Sequence, residues 1–300
     1  MQAAPKIGKF AASKRIAYES WNVLKQDKEM MWFPVLSAIV SLIVFALFGG
    51  FAFFYVLGGD LAAIEAIERE GMSIQGYALL FVYYLVTFFI VNFFQTGVFL
   101  IAHARFNGRD LGFRDGLSGA FSHAGRIFVW SLISATIGVI LQAIADRWKF
   151  IGAIVSMVLG AAWAILTYFS LLSLIIGNTS VTGAFKESAS LIRKTWGETI
   201  IVNFGVGLFF AGLFILGATA FIALALLVPE MPFIIGLVML LVVYTVLLSI
   251  VSSTLGSIFK LALYEYARTG VVPRGFSPDI VRNAVQKGDE KKSFLSGLAR

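Results

Sequence analysis

The side chains best suited to chemistry in this sequence sit inside apolar stretches. Asn92, Gln95, Thr96 and His103 fall within one of them. At about 100° per residue on a helix, Gln95 lies about −60° from Asn92, Thr96 about +40° and His103 about +20°. All four therefore share one face. Amides, hydroxyls and imidazoles in hydrocarbon must face protein or water. Two uses follow: lining a polar cavity, or hydrogen bonding between helices, worth about 0.6 kcal/mol per bond on average. A second track repeats every four residues at Ser249, Ser253 and Ser257, with Ser252 and Gly256 beside it. It reads as a close-packing seam or as a pore lining.

Signatures of catalysis are sparse. The two histidines, His103 and His123, are not spaced as a zinc pair, and the chain has no cysteine. No phosphate-binding glycine loop, nucleophile elbow or dinucleotide fingerprint occurs. The expectation is a non-enzyme with no catalytic residue, cofactor or metal. The acidic residues all lie outside the apolar cores or at their ends, which weighs against ion-coupled transport. Asp60, Glu65, Glu68 and Glu70 form an acidic group that reads as a solvated helix face.

The elements that must position these residues are membrane helices. The 300 residues are 59% apolar and 14% charged, against about 45–50% and about 25% in soluble domains. Long unbroken apolar runs point to helices, not to the alternating segments of a barrel. Six spans are predicted: 33–57, 77–104, 127–145, 150–176, 199–227 and 233–260. The first starts behind a charged segment, as a retained span rather than a cleavable signal. The second and sixth exceed the ~20 residues a bilayer needs, so they tilt or project. Small residues at Gly152, Ser156, Gly160 and Ala164 mark a packing stripe in the fourth. Residues 1–267 read as one transmembrane domain, and 268–300 as a cytoplasmic tail with a short helix begun at Pro278.

Basic residues fix the expected orientation. Of the 24 Lys and Arg, only Arg69, Arg147 and Lys149 fall on one side. The others occupy the N-terminal segment, the 105–126 and 177–198 loops and the C-terminal region. By the positive-inside rule both termini are cytoplasmic in a multi-pass protein of the cell membrane. The net charge of +7 then reflects topology and implies no nucleic-acid partner.

The cytoplasmic segments carry apolar stripes at helical spacing. They are Phe10, Ala17, Trp21 and Leu24; Phe113, Leu117, Ala120, Phe121, Ala124 and Phe128; and Val181, Phe185, Ala189, Ile192 and Trp196. Each precedes a span, the pattern of an amphipathic interfacial elbow helix. Gly119-Ala120-Phe121 and Gly183-Ala184-Phe185 match. The expected fold is thus an all-α polytopic membrane protein, with six transmembrane helices as three hairpins, each preceded by an elbow. An internal repeat of this kind often places a site at the repeat interface.

Two stretches are distinctive. One holds Ser20-Trp21, Leu24, Asp27-Lys28-Glu29 and Phe33-Pro34. The other holds Ala262-Leu263-Tyr264, Tyr266-Ala267, Thr269-Gly270, Pro273 and Gly275-Phe276. Together they resemble a family of bacterial and archaeal six-span membrane proteins of unknown function. The layout also looks like the membrane domain attached to some glycerophosphodiester phosphodiesterases. Neither resemblance supplies a catalytic residue. The expected function is a membrane scaffold or partner-binding protein, in contact with lipids and with a membrane-protein partner or a second copy. The alternative is a channel, carrier or lipid-binding protein with a polar cavity at the repeat interface.

The topology is testable by labelling. Single cysteines placed at Ala66 and Ala284 are expected to react from opposite sides of the membrane. Labelling of both from the cytoplasmic side contradicts the six-span reading.

Overall fold

The structure, a computed structural model, describes residues 9–60, 72–147, 149–195, 206–228, 230–279 and 281. Among them 86% are helical and none forms a strand. Helix α1 is Lys9–Leu24, followed by a 3₁₀ turn at Lys28–Met31. Then come α2 (Trp32–Phe51), which runs on into a π turn at Ala52–Val56, and α3 (Ile74–Phe106). Next are α4 (Phe113–Ser122), α5 (Ala124–Arg147), α6 (Lys149–Leu166) and α7 (Ser170–Ile175). The last are α8 (Val181–Thr195), α9 (Val206–Leu227) and α10 (Met231–Thr269).

Six of the helical segments are long and apolar enough to cross a membrane. They agree with the six predicted spans except where local chemistry intervenes. The fourth is broken. Helix α6 stops at Leu166, and tight turns from Tyr168 N–H to the Ile165 carbonyl and from Ser170 N–H to that of Thr167 restart the chain as α7. The predicted elbow stripe from Phe113 to Phe128 is divided at His123, so Ala124 and Phe128 belong to α5. The start predicted for the fifth span, residues 199–205, lies outside the described residues, as do Trp196 and the side chain of Phe10.

The chain divides into two compact units. One comprises Met1–Pro34, Ile101–Phe113 and Arg193–Arg300; the other Val35–Leu100 and Arg114–Ile192. In the second unit, side chains of α3 and α5 meet along an antiparallel seam. Tyr77 donates to Asp146 at 2.8 Å, Gly138 leaves space for the Tyr84 ring, and Asn92 donates to Ser131 at 3.3 Å. A Cβ on Gly138 would stand 2.9 Å from Tyr84. Helices α5 and α6 pack together, and Trp130 stacks on Trp163, which stacks on Phe185 of α8.

In the first unit, α9 packs on α10, and α1 packs on both. Gly217 on α9 admits Tyr244 of α10: a Cβ there would lie 2.4 Å from the ring. The Tyr244 hydroxyl donates to the Leu213 carbonyl at 2.7 Å. Ile16, Ala17, Ser20, Val23 and Leu24 of α1 are buried. Ala17 and Leu24, read from the sequence as part of a lipid-facing stripe, are therefore covered by protein, while Trp21 of that stripe stays exposed.

At about 1.5 Å per residue, α10 is about 58 Å long, and its two halves differ. From Met231 to Leu247 it shows many exposed large apolar side chains, whereas Thr254 to Ala267 form much of the unit's core, with Tyr264 fully buried. Gly270, at φ +75°, ends it in the left-handed conformation that closes helices. The chain beyond does not hang free: Phe276 meets Phe106 and Phe259, and Val281 is fully buried.

These contacts separate two glycines of similar appearance in sequence. At Gly160 a Cβ meets only Leu141, at an ordinary 3.5 Å. Gly160→Ala is expected to be neutral or to stabilise slightly through helix propensity. Gly217→Ala displaces a hydrogen-bonded ring and is expected to cost about 1–3 kcal/mol. Thermal unfolding in a single detergent checks the pair; equal midpoints contradict this packing.

Candidate functional site

The polar residues of the first unit converge where α1, the last turn of α3 and the buried half of α10 meet. Arg105 grips Asp27 with two hydrogen bonds, through Nε and Nη2, and reaches Asp110 at 2.7 Å. The Asp27 side chain is only 7% exposed and that of Asp110 is 79% exposed. The first pair carries the stability and the second contributes little. His103 Nδ1 lies 2.6 Å from Glu265 Oε1. Asn107 Nδ2 lies 3.5 Å from the other ring nitrogen. The tautomer with the proton on Nδ1 serves both, donating to the carboxylate and accepting from the amide.

Three further contacts tie the N-terminal segment to distant helix starts, and two of them meet free donors. The first N–H groups of a helix have no partner within it. Glu29 accepts the N–H of Phe113, the first residue of α4. Ser13 Oγ accepts the N–H of Phe209, the fourth residue of α9, at 3.0 Å, which ties α1 to the start of that helix. Glu19 accepts the N–H of Ser277 at 3.0 Å and also its hydroxyl, where helical backbone resumes at Pro278. It does what the glutamate of a capping box does, from a distant part of the chain. In the second unit, Ser188 Oγ accepts the N–H of Phe169, which precedes α7, at 3.0 Å. A carboxylate at a helix start also meets the favourable end of the helix dipole.

The residues singled out in the sequence are not gathered into one site. Asn92 bonds to Ser131, and the Thr96 hydroxyl donates to its own helix, at the Asn92 carbonyl, 2.8 Å away. Thr96 and Ser131 are fully buried, and Gln95 is half-buried. His103 has Glu265 as its partner. Ser257 is buried, whereas Ser249 and Ser253 are exposed. These last two line a groove of about 420 Å³ with Ser252, Leu248, Gly207, Phe210, Ala211 and Phe214.

Sequence reading missed Glu19, Glu265 and Ser13 altogether and gave Asp27, Glu29 and Arg105 no role. Their main partners lie far away in sequence, between 78 and 258 residues, beside the nearer pairs of Arg105 with Asp110 and of Glu19 with Arg15. The one available signal was the density of charged residues in the distinctive stretches. Those stretches meet in space: Glu19 holds Ser277, and a Cβ on Gly275 would stand 2.8 Å from Val23. Among the described residues no group of three or more potential metal ligands occurs.

Asp27→Asn removes the charge that holds Arg105 and is expected to destabilise the protein by about 2–3 kcal/mol. Asp110→Asn is expected to change it by less than about 0.5 kcal/mol. Denaturant titration of both variants in one detergent measures the difference; a neutral Asp27→Asn contradicts the assignment.

Comparison with known proteins adds one match. No curated protein and no solved structure matches the chain. Residues 74–274, from the start of α3 to the segment beyond α10, match a family of unknown function. With six helices fit to cross a membrane and this match over most of its length, the chain belongs to the family of unknown function DUF6159.

Proposed function

We propose that this protein is a non-catalytic membrane scaffold that receives a transmembrane helix of a partner in the groove between α9 and α10. The groove carries the reading. Gly207 and Ala211 stand four residues apart on one wall, and Ser249 and Ser253 four apart on the other. Small residues at this spacing let a second helix approach closely. The hydroxyls of Thr245 and Thr254 on α10 are spent on carbonyls of the preceding turn. Those of Ser249, Ser252 and Ser253 face the groove, where a polar group on an incoming helix gives them partners that lipid does not.

The surroundings support the same reading. The most apolar stretch of α2 has no buried residue, and those of α9 and α10 have 6%. A large apolar surface is thus open to lipid or protein. The cavity alternative draws less support, because the Asn92 amide serves an interhelical bond to Ser131. The element order gives a short helix before two long ones three times over, which favours three elbow-and-hairpin units. The charge distribution favours a cell-membrane protein with cytoplasmic termini.

A photo-crosslinking residue at Ser252, introduced in native membranes, tests the groove. The expected result is a protein adduct, with a partner or a second copy, that is lost when Ala211→Leu fills the groove. Adducts with lipid alone, or a protein adduct indifferent to Ala211→Leu, overturn the reading.

A further inference from the structure

Helix α1 has two faces of different chemistry. The inward face is the packed one. Outward, Lys14, Tyr18 and Trp21 of α1, and Lys25 in the turn that closes it, follow one another at steps of four, three and four residues, which keeps them within about 60° of one line. Tyr18 is 63% exposed and Trp21 36%, and both lysines are exposed. The same spacing continues past the end of α1 to Lys28 and Trp32, also exposed.

The lysines lack acidic partners. Lys14 and Lys28 make no ion pair among the described residues, and Lys25 lies 6.0 Å from the centre of the Trp21 ring. The carboxylates nearby are already engaged: Glu19 with Ser277 and Arg15, Asp27 with Arg105, Glu29 with Phe113. The stripe therefore presents net positive charge interleaved with amphipathic rings. Its depth is set by Trp32, the first residue of α2, whose apolar stretch has no buried residue. Where an apolar helix enters hydrocarbon, Trp and Tyr sit at the level of the headgroups.

We propose that the outer face of α1, continued through Lys28 and Trp32, is a binding surface for anionic phospholipid headgroups. The lysines meet the lipid phosphates, and the rings of Tyr18, Trp21 and Trp32 lie at the boundary with the acyl chains. The proposal rests on the reading of α1 as an interfacial helix and adds the lipid class that it selects. A soluble acidic protein explains the lysines but not three exposed aromatic rings among them, the last of which begins an apolar helix. Charge and rings together favour a bilayer.

The absence of cysteine gives a clean test in the full-length chain. Tyr18→Cys carries a bimane fluorophore, and the protein is placed in vesicles of equal phosphatidylglycerol and phosphatidylcholine, brominated on one lipid at a time. A probe at Leu247→Cys, on the exposed part of α10, reports the average lipid. Brominated phosphatidylglycerol is expected to quench the probe at position 18 about twofold more than brominated phosphatidylcholine. That ratio should fall to the value at position 247 in Lys14→Gln/Lys25→Gln/Lys28→Gln. Raising the salt around the labelled chain that keeps all three lysines should lower it too. Equal quenching by both lipids at position 18, or a preference that survives the triple substitution and salt, overturns the headgroup proposal and leaves the interfacial helix standing. No quenching at position 18 by either lipid, with quenching at 247, overturns both and makes the stripe a surface for a soluble acidic partner.

Discussion

A helix that starts at or near a membrane must find partners for its first N–H groups. Water is scarce there, and an unpaired donor is costly. In the first unit this constraint is met from one place. The segment from Ser13 to Glu29 supplies an acceptor to the start of α4 and to the helical turn after Ser277, and Ser13 holds the N–H of Phe209 near the start of α9. It also supplies the carboxylate that holds Arg105 at the end of α3. Side chains that cap helices from far away in the sequence make folding of those helices conditional on the N-terminal segment being in place.

The long helices depend on the same arrangement. At about 1.5 Å per residue, α3 and α10 outrun a hydrocarbon layer of about 30 Å. The surplus at the C-terminal end of each is paired with the other, through His103 and Glu265. The inward face of α1 covers this surplus with Ile16, Ala17, Val23 and Leu24. With that face committed to protein, the outward face of α1, with Lys14, Tyr18 and Trp21, stays exposed. The groove between α9 and α10 lies at the middle of α10, from Leu248 to Ser253, where its exposed half meets its buried half. A packed end beside an open apolar half is what a docking protein requires, since the first gives rigidity and the second gives surface.

Much of this was legible in the sequence. Apolar run length gave all six spans, and helical spacing gave helices at 113–122 and 181–195, because both signals are local. The direction of a stripe was not. Trp21 and Leu24 look alike as apolar residues, but Leu24 packs inward and Trp21 stays exposed on the side of Lys14. The N–H of Phe169 at the break finds its acceptor on Ser188, and the need for Gly217 comes from Tyr244. Neither partner could be known before the fold. The spacing of the four residues on the Asn92 face could not show that His103 would pair with a glutamate 162 residues away.

Ser13 offers the most direct test of the central claim, because it lies 196 residues from the N–H it accepts. The measurement is hydrogen exchange by mass spectrometry on Ser13→Ala and the unsubstituted protein in one detergent. The account predicts faster exchange in the peptide covering the first turn of α9, Val206 to Phe210, with α5 and α6 unchanged. Faster exchange confined to α1, with the start of α9 as protected as before, would contradict it.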